Sequence, residues 1–456
     1  SDRSRFERGV LNRVVPSSPA TMEPLREELP LFKVFIAPDA GPRAAEVLAS
    51  GAVTQGPLVD AFERKLAAFL DNPHVLSLNS GTSALHIALH MLKTPDAASR
   101  WPGLKPGDEV LTTALTCAAT NWPILANGLR PRWVDVDAGT ANVDVKDLRR
   151  KLTRRTKVIQ FVHWGGTPVD LDAIERVREY AEKKFGFRPA VIEDAAHAIG
   201  AEWNGIRVGA ASRGTIAIFS LQAIKHLTTG DGGLLALPTK AMYDRAKVLR
   251  WYGISRAREN YDENDYRLES DVKEFGFKMH MNDLAAAVGL ANLPHLETIL
   301  ASHRANASYY DSALRGIDGV TLLNDVPRGA SSSYWMYSFH VRDKPAFITF
   351  MKSKNVATSQ VHARNDTHSV CAPFRTPLPV LDEVVKTLVS VPVGWWVTRR
   401  DREYVVEAVK AFFETTPAAE VSVSSPGGAA ASGSGSAAGG ERAGGAFCWT
   451  GTRSKL

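Results

Sequence analysis

Three residue types that can act together in catalysis follow two apolar segments in the middle of the chain. Asp194 ends an acidic pair directly after the apolar residues 190–192, and Ser220 directly follows the second apolar segment, residues 215–219. Lys225 comes five residues after Ser220. Because open α/β sheets bind their ligands at the ends of their strands, we expect this carboxylate, hydroxyl and amine to lie close together.

A lysine, an aspartate and small hydroxyl residues are the set that a pyridoxal phosphate cofactor requires. The lysine amine forms a Schiff base with the cofactor, the aspartate keeps the pyridine nitrogen protonated, and the hydroxyl groups hold the phosphate. Glycines between residues 230 and 233 then allow a tight turn into a third apolar segment, residues 233–237. We therefore predict that Lys225 is the Schiff-base lysine and that Asp194 pairs with the pyridine nitrogen.

A segment upstream of these residues has the pattern of an anion-binding turn. Residues 75–78 are predicted to form a strand and residues 83–92 a helix, with small polar residues between them. Free amide groups and the positive end of the dipole at a helix N-terminus favour an anion such as phosphate. A Ser or Thr residue that only caps the helix is the alternative. Since the Lys225 segment also indicates a phosphorylated cofactor, we favour phosphate binding by Gly81 and Thr82.

Strands and helices alternate along most of the chain. Extended apolar segments at 109–115, 131–137 and 157–163 are separated or followed by helical patterns, such as residues 171–185. Alternation at this spacing predicts an α/β fold, with a mostly parallel sheet between layers of helices.

Differences in pattern along the chain divide it into four predicted regions. These are a disordered lead-in (1–28), a large cofactor-binding domain (29–295), a small α+β C-terminal domain (296–414) and a disordered low-complexity tail (415–456). A long helix over 296–314 begins the small domain, which has predicted strands at 335–341 and 357–361. The tail is rich in Ala, Gly and Ser, and it cannot bury enough apolar surface to become ordered.

The composition is that of an ordinary soluble globular protein, with 44% hydrophobic and 23% charged residues among 456. The three cysteines, Cys117, Cys371 and Cys448, are far apart and form neither a disulfide framework nor a metal site. The net charge of +6 reflects either a solvated basic surface or a positive potential for a phosphorylated ligand. We expect no nucleic-acid partner.

The sequence also bears on location. No apolar run approaches the roughly 20 residues that span a bilayer. The N-terminal residues lack the apolar core of a signal peptide. We therefore expect a cytoplasmic protein without a membrane partner. A peroxisomal location is the alternative, because the final residues Ser454, Lys455 and Leu456 match a peroxisomal targeting signal.

Three segments resemble the DegT/DnrJ/EryC1/StrS family of sugar aminotransferases, which are fold-type-I pyridoxal phosphate enzymes. The segments are NSGTSALHIALHML (79–92), EDAAHAIGA (193–201) and FSLQAIKHLTTGDGG (219–233). They occur in the order that the family has, and the resemblance extends from about residue 31 to about residue 413. It implies a sheet of about seven strands and a homodimer in which each active site is built from two chains.

The resemblance also assigns roles to individual residues. It implies that Lys225 moves a proton between the substrate carbon and the cofactor, which alternates between its pyridoxal and pyridoxamine forms. His197 stands where the family usually has Gln and is expected to contact the 3-oxygen of the ring. Gly81, Thr82 and Ser220 are expected to bind the cofactor phosphate.

Two positions depart from the family pattern. Lys278 and His280 stand where Asn and Arg are common, in a segment whose Asn reaches the phosphate of the other subunit's cofactor. Lys278 either meets that phosphate as a cation or has a structural role. The aromatic residue that commonly covers the cofactor ring has no clear match in residues 115–122, where Cys117 or Ala118 takes that place.

Five further residues are candidates for substrate contact: His226, Tyr252, His362, Arg364 and Asn365. His226 directly follows the lysine, and three of the others belong to a segment in which polar side chains are concentrated, residues 361–370. By analogy with the family this segment approaches the sugar or its pyrophosphate, and a polar loop is the alternative. The charged segment 255–274 is interpreted as a loop that crosses to a partner subunit, or as a solvated surface loop.

The resemblance implies an aminotransferase that moves an amino group from an amino acid, glutamate being expected, onto a nucleotide-linked 4-keto-6-deoxyhexose. A dehydratase of the same family is the first alternative, but those relatives carry His in place of the lysine, so Lys225 argues against it. A cyclitol ketone is a further possible acceptor. A non-catalytic, cofactor-binding regulator would need a partner-binding domain, and the only additional segment is the low-complexity tail.

Overall fold

Continuous apolar segments form the strands of this protein, and amphipathic segments form its helices. A computed structural model describes residues 22–97, 99–255, 271–324 and 326–415. Several predictions fall outside these ranges: most of the lead-in and of the tail, the targeting residues 454–456, Cys448 and most of the charged segment 255–274.

The strands are β1 (Val75–Leu78), β2 (Glu109–Thr113), β3 (Arg130–Val134), β4 (Thr156–Val162), β5 (Ala190–Asp194), β6 (Glu202–Trp203), β7 (Ile206–Arg207), β8 (Ile216–Ser220), β9 (Gly233–Ala236), β10 (Val320–Leu322), β11 (Ala330–Ser331), β12 (Tyr337–Val341) and β13 (Leu388–Val391).

The helices are α1 (Ala40–Ser50), α2 (Pro57–Leu70), α3 (Gly81–Met91), α4 (Ala118–Ala126), α5 (Val145–Arg150), α6 (Leu171–Phe185), α7 (Lys240–Leu249), α8 (Asp283–Asn292), α9 (Leu296–Leu314), α10 (Lys344–Ser353), α11 (Pro379–Thr387) and α12 (Arg399–Thr415).

A seven-stranded sheet with the order β1-β9-β8-β5-β4-β2-β3 forms the centre of the fold. The strands from β8 to β3 in this order pair in parallel, and β9 runs antiparallel to both of its neighbours. Their residues are buried almost without interruption, as expected for strands that are covered by helices on both faces. The predicted α/β fold with a mostly parallel sheet is therefore confirmed.

A second, antiparallel sheet with the order β10-β12-β13 lies in the C-terminal part of the chain. It shares a hydrophobic core with α9, α10 and α12. Leu29 also belongs to this core, and its amide donates to the carbonyl oxygen of Asn355 at 2.8 Å. The N-terminal described residues thus pack against the C-terminal core, and the proposed division at residue 295 stays a prediction.

The helix predicted over 296–314 is confirmed, as is the cap at Asn282, whose side chain accepts from the amide of Ala285 at 2.8 Å. The strand predicted at 357–361 is wrong. Within it only Ser359 makes an isolated pairing, and Val361 has a φ of 71°, which interrupts the extended backbone that a strand needs.

One helical stretch among the described residues, Asp283–Leu314, is long and apolar enough to cross a membrane by length and composition alone. Half of its most apolar part is buried inside the protein. Leu296 and Leu300 belong to the core that covers the large sheet. Because core helices of soluble proteins pass the same test, this stretch is weak evidence for a membrane.

A buried ion pair fixes the strand that leads into the predicted phosphate turn. Glu63 on α2 and Arg250 after α7 are 6% and 1% exposed. The carboxylate of Glu63 accepts from Arg250 and from the amide and hydroxyl groups of Ser77 on β1, the latter two at 2.8 and 2.7 Å. Arg250 also donates to the carbonyl of Ser77 at 2.9 Å. The pair therefore holds β1 from both of its backbone groups at this position.

Replacing Glu63 with alanine should lower the free energy of unfolding by about 3–5 kcal/mol, because it leaves a buried guanidinium without its carboxylate. Urea denaturation followed by circular dichroism measures this change. The matched control is Glu383→Ala, which removes an exposed pair with Lys386 and should change the stability little. Equal decreases in the free energy of unfolding of Glu63→Ala and Glu383→Ala would contradict the role given to Glu63.

Candidate active site

The carboxyl ends of two adjacent parallel strands bring the predicted catalytic residues together. In the pairing of β5 with β8, Asp194 lies opposite Ile218, so Asp194 and Ser220 end at the same edge of the sheet. Lys225 lies on the loop from β8 to β9, and a turn in which its amide donates to the carbonyl of Gln222 at 2.9 Å returns it to this edge.

Asp194 is a buried carboxylate whose hydrogen bonds leave it free to meet a further group. It is 3% exposed, and it accepts from the hydroxyl of Thr120 at 2.7 Å and from the amide of Ala196 at 3.1 Å. Burial raises the pKa of Asp194, and these hydrogen bonds and the charge of Lys225 oppose that rise. The protonated pyridine nitrogen of a bound cofactor would stabilise this buried carboxylate further.

The amine of Lys225 lies over the face of an indole ring. Its Nζ is 3.4 Å from the ring centroid of Trp335. Burial lowers the pKa of Lys225 from its usual 10.5 to about 7, although the neighbouring Cys117 and Asp194 act in the opposite direction. A substantial fraction of the amine is therefore unprotonated near neutral pH, which a lysine needs in order to act as a nucleophile.

His197 is a buried imidazole with one nitrogen that lacks a partner. Its ring stacks on Trp335 with a centroid distance of 4.0 Å and an interplanar angle of 17°. Its Nε2 lies 3.3 Å from Nε2 of His362. Its Nδ1 is buried and has no hydrogen-bond partner among the described residues. Burial lowers the pKa of His197 well below its usual range, so the ring is neutral and can hydrogen-bond to an oxygen of a ligand.

The predicted phosphate turn lies directly beside Ser220. Ser80 caps α3 and accepts from the amide of Ser83 at 3.1 Å. The amides of Gly81 and Thr82 belong to the first turn of α3, where no intrahelical acceptor is available. A Cβ atom on Gly81 would lie 3.5 Å from Cβ of Ser220. Backbone amides and a hydroxyl thus converge on one small space that suits an anion.

Gly233 explains why the turn and the sheet can approach so closely. A Cβ atom at Gly233 would lie 2.3 Å from the carbonyl oxygen of Ser80 and 2.4 Å from the amide nitrogen of Gly81, closer than atoms can pack. Only glycine fits at this position without displacing the turn.

These residues fit pyridoxal phosphate. Asp194 suits its ring nitrogen, the unpartnered Nδ1 of His197 suits its 3-oxygen, Lys225 suits its aldehyde, and the turn of Gly81 and Thr82 with Ser220 suits its phosphate. The geometry brings together every residue that was predicted to hold the cofactor except Lys278, and the individual roles stay predictions.

Lys278 lies near the phosphate turn, but its side chain is directed elsewhere. Its segment runs along the end of β1, where the amide of Asn79 donates to the carbonyl of Met279 at 2.9 Å. Nζ of Lys278 lies 3.5 Å from the ring centroid of Trp251. The adjacent Tyr252 is 46% exposed and has a φ of 57°. Within one chain, Lys278 and Tyr252 therefore belong to an aromatic surface rather than to the group around Lys225.

Of the candidates for substrate contact, His362 contacts the group directly, because its Nε2 lies 3.3 Å from Nε2 of His197. His226 is buried, and its Nε2 lies 2.9 Å from the carbonyl oxygen of Ser333. Asn365 donates from its backbone amide to Ala114 and from its side chain to Cys117, at 2.9 and 3.2 Å. Their contacts with substrate stay predictions.

Arg364 is engaged by two carboxylates. It donates to both oxygens of Asp366, at 2.8 and 2.7 Å, and it forms a further ion pair with Asp382. These interactions raise the pKa of Arg364. The guanidinium is thus held between its own segment and α11, and this contact with two acidic residues leaves it little excess positive charge for an anionic substrate.

Sequence reasoning missed Thr120 and Trp335. Thr120 hydrogen-bonds to Asp194. It lies in residues 115–122, where the family pattern predicted only an aromatic residue. Trp335 was read only as the start of a predicted strand. No local pattern marks either residue, because both meet the site through contacts that are distant in sequence.

Replacing Gly233 with alanine should weaken pyridoxal phosphate binding by roughly 10- to 100-fold, because displacing the turn removes at least one hydrogen bond to a charged group. Binding of pyridoxal, which has no phosphate, should change much less. Equilibrium titration of the cofactor-free protein followed by absorbance measures both affinities.

The matched control is Gly41→Ala, because a Cβ atom at Gly41 meets no atom within 4 Å. This variant should bind both ligands like the wild type. An equal loss for pyridoxal and pyridoxal phosphate in Gly233→Ala would show that the turn does not bind the phosphate.

Comparisons with known proteins agree with this geometry. A model of the DegT/DnrJ/EryC1/StrS aminotransferase family matches residues 36–410. The crystal structure of AtS13 from Actinomadura melliaura is 47% identical, with a TM-score of 0.78, and the match covers 84% of this chain and 99% of that chain. The crystal structure of sugar aminotransferase CalS13 from Micromonospora echinospora is 44% identical, with a TM-score of 0.77 and the same coverage.

A further relative is the UDP-4-amino-4-deoxy-L-arabinose--oxoglutarate aminotransferase of Shewanella sediminis. It is 33% identical over 298 residues, which are 65% of this chain and 72% of the relative. The family match spans both the large sheet and the C-terminal sheet, and it includes all residues of the site described above. The resemblance seen in the sequence is therefore confirmed, and the chain belongs to the DegT/DnrJ/EryC1/StrS aminotransferase family.

Proposed function

We propose that this aminotransferase acts on a sugar, with a nucleotide-linked 4-keto-6-deoxyhexose as acceptor and glutamate as amino donor. The observation that carries the proposal is the amine of Lys225, held with a pKa of about 7 between Asp194, His197 and Trp335 at the carboxyl edge of the sheet. An amine that loses its proton near neutral pH suits both the capture of a carbonyl and the transfer of protons.

The names of the relatives support a sugar acceptor. CalS13 is described as a sugar aminotransferase. The Shewanella relative is named for amino transfer between UDP-4-amino-4-deoxy-L-arabinose and oxoglutarate, the keto acid that corresponds to glutamate. Both the type of acceptor and the donor proposed for this chain follow that chemistry.

Aminotransferases of this family use pyridoxal phosphate, which confirms the predicted cofactor. When bound, the cofactor supplies a carbonyl group that takes up the amino group and a ring that withdraws electrons from the reacting carbon. The protein's own residues must bind it, orient it and control the protons.

Asp194 would hold a proton on the ring nitrogen. The hydroxyl of Thr120 and the amide of Ala196 fix the orientation of this carboxylate. Because Asp194 is buried, an ion pair with the ring would be little screened by water. His197 would orient the ring from a second side by a hydrogen bond from Nδ1 to its 3-oxygen, since Nε2 already faces His362.

Lys225 would remove a proton from one carbon and return it to another. A group transfers protons most effectively when its pKa is close to the working pH, and burial brings Lys225 to about 7. Trp335 is 2% exposed and covers the amine, so it also limits the access of water to this position.

Transfer of nitrogen from [15N]glutamate to a nucleotide-linked 4-keto-6-deoxyhexose is the test of this proposal. Mass spectrometry of the sugar product should show one 15N atom, and oxoglutarate should form in equal amount. Unlabelled amino acids and a keto-inositol serve as competing donors and as an alternative acceptor. Loss of a hydroxyl group from the sugar without uptake of nitrogen would instead support a dehydratase.

Lys225→His should abolish transfer of the label, because an imidazole cannot form the covalent link through which a lysine holds and releases the cofactor. The protein should still fold, and it should bind pyridoxal phosphate without a covalent bond. Retention of wild-type transfer by this variant would show that Lys225 is not the catalytic lysine.

We propose further that two copies of the chain share each site, with Lys278 of one copy binding the cofactor phosphate of the other. The surface that carries Lys278 is rich in exposed aromatic residues: Tyr252 is 46% exposed and Phe275 is 70% exposed. An apolar surface of this kind is typical of an interface between subunits.

A cytoplasmic location and the absence of a nucleic-acid partner stay predictions.

Mixing two inactive variants tests whether the sites are shared. If Lys225 and Lys278 of one site come from different chains, a hybrid of Lys225→Ala with Lys278→Ala contains one intact site of two. Random reassembly should then restore about a quarter of the wild-type activity. No recovery would place both lysines of a site in one chain, and full activity of Lys278→Ala alone would remove Lys278 from the site.

A further inference from the structure

Trp335 touches both the lysine and the imidazole of the site. Its ring centroid is 3.4 Å from Nζ of Lys225 and 4.0 Å from the ring centroid of His197. Phe32 stacks on the same indole at 4.6 Å with an interplanar angle of 18°. The indole is therefore enclosed by aromatic neighbours, and it is only 2% exposed.

The backbone that carries Trp335 is fixed from several directions. Hydrogen bonds reach residues 332–336 from helix α9, from the loop after β5 and from the lysine loop. They are Arg304 Nε to Ser332 O (2.9 Å), Ser333 Oγ to the carbonyl of His197 (2.9 Å), His226 Nε2 to Ser333 O (2.9 Å), His303 Nδ1 to Tyr334 O (2.8 Å) and Trp335 Nε1 to the carbonyl of Ile224 (2.9 Å). Rotation of the indole would break its bond to Ile224, and a shift of the backbone before it would break the other four.

The bond from Trp335 Nε1 to Ile224 ties the indole to the residue directly before Lys225. This contact therefore couples the position of the ring to the position of the lysine. A cation above the face of a tryptophan is attracted by the negative charge of its π system, most strongly where water is excluded. The amine of Lys225 lies above the face of Trp335, and the buried indole excludes water from it.

We propose that Trp335 is a positioning residue that holds the amine of Lys225 against the face of its indole and stabilises the protonated form of that amine. The inference rests on the proposed function only in taking Lys225 as the reacting lysine. Burial lowers the pKa of Lys225, and the indole of Trp335 opposes that lowering. Without the indole face, burial alone would deprotonate the amine more completely and leave it a weaker proton donor.

Other groups that face Lys225 either favour its protonated form or carry no charge. Asp194 on β5 and Cys117 before α4 favour the protonated amine. His197, His226 and His362 are neutral because burial lowers the pKa of each, to about 3 for His362. Since these imidazoles carry no charge near neutral pH, removing the indole face takes away no charged neighbour of the amine.

Competitive acetylation of the cofactor-free protein measures the protonation of Lys225 independently of catalysis. Trace acetic anhydride labels only unprotonated amines, and mass spectrometry compares Lys225 with an exposed reference lysine across a pH series. The midpoint for wild-type Lys225 should lie near pH 7. In Trp335→Leu, which keeps an apolar side chain but removes the π face, the midpoint should fall by about 0.4–1.5 pH units.

Trp335→Phe is the conservative variant. Because it keeps an aromatic face, it should recover at least half of the fall in midpoint that Trp335→Leu causes. Trp395→Leu is the matched control, since Trp395 contacts Phe35 and Lys33 and should leave the profile of Lys225 unchanged. An unchanged midpoint in Trp335→Leu would overturn the proposal. A midpoint that rises would also overturn it, because the indole would then act only by excluding water.

Fluorinated tryptophan introduced at position 335 alone keeps the test decisive if Trp335→Leu fails to fold. Each added fluorine weakens the negative face of the ring with little change in shape, so the midpoint should fall stepwise with the number of fluorines. A constant midpoint across this series contradicts the proposal. The wild-type protein could fail to transfer amino groups while the acetylation midpoints of the Trp335 variants shift as expected. That result would contradict the proposed function and leave the role of Trp335 intact.

Discussion

The cost of keeping a charge on a buried amine is the constraint that gives this site its chemistry. Lys225 loses much of the hydration that would keep it protonated, and its pKa falls from 10.5 to about 7. The neighbouring Cys117 and Asp194 limit that fall, and under our proposal the face of Trp335, 3.4 Å from the amine, adds to their effect. The balance depends on distances of a few ångströms, so the surrounding structure must hold each of these neighbours in place.

Two parts of the fold supply that rigidity. Strands β5 and β8 carry Asp194 and Ser220 to one edge of the sheet, and Gly233 lets the phosphate turn pack against the end of β8. The C-terminal part of the chain contributes residues 332–336, which are hydrogen-bonded to both sides of the site. The buried pair of Glu63 and Arg250 fixes β1 behind the turn. The site therefore depends on elements that lie far apart in sequence.

Much of the fold could be predicted because local patterns encode it. Buried parallel strands appear as continuous apolar runs, and the helix over 296–314 was predicted with its correct ends. Asp194 and Ser220 were found because each lies at the end of such a run, and Lys225 was found because it comes five residues after Ser220 in a segment that resembles the family. The strand predicted at 357–361 is wrong because Val361 adopts a left-handed conformation and, within the segment, only Ser359 pairs, with Ser390. Trp335 and the ion pair of Arg364 with Asp382 were not predictable, since no spacing in sequence records those contacts.

The absorbance spectrum of the purified protein, recorded before and after excess glutamate is added, tests the central claim most directly. A cofactor linked to Lys225 should absorb near about 420 nm, and glutamate should move this band toward about 330 nm as the amino group passes to the cofactor. Absence of any such band after incubation with pyridoxal phosphate would contradict the account of Lys225 given above. A band that no amino acid can shift would contradict amino transfer.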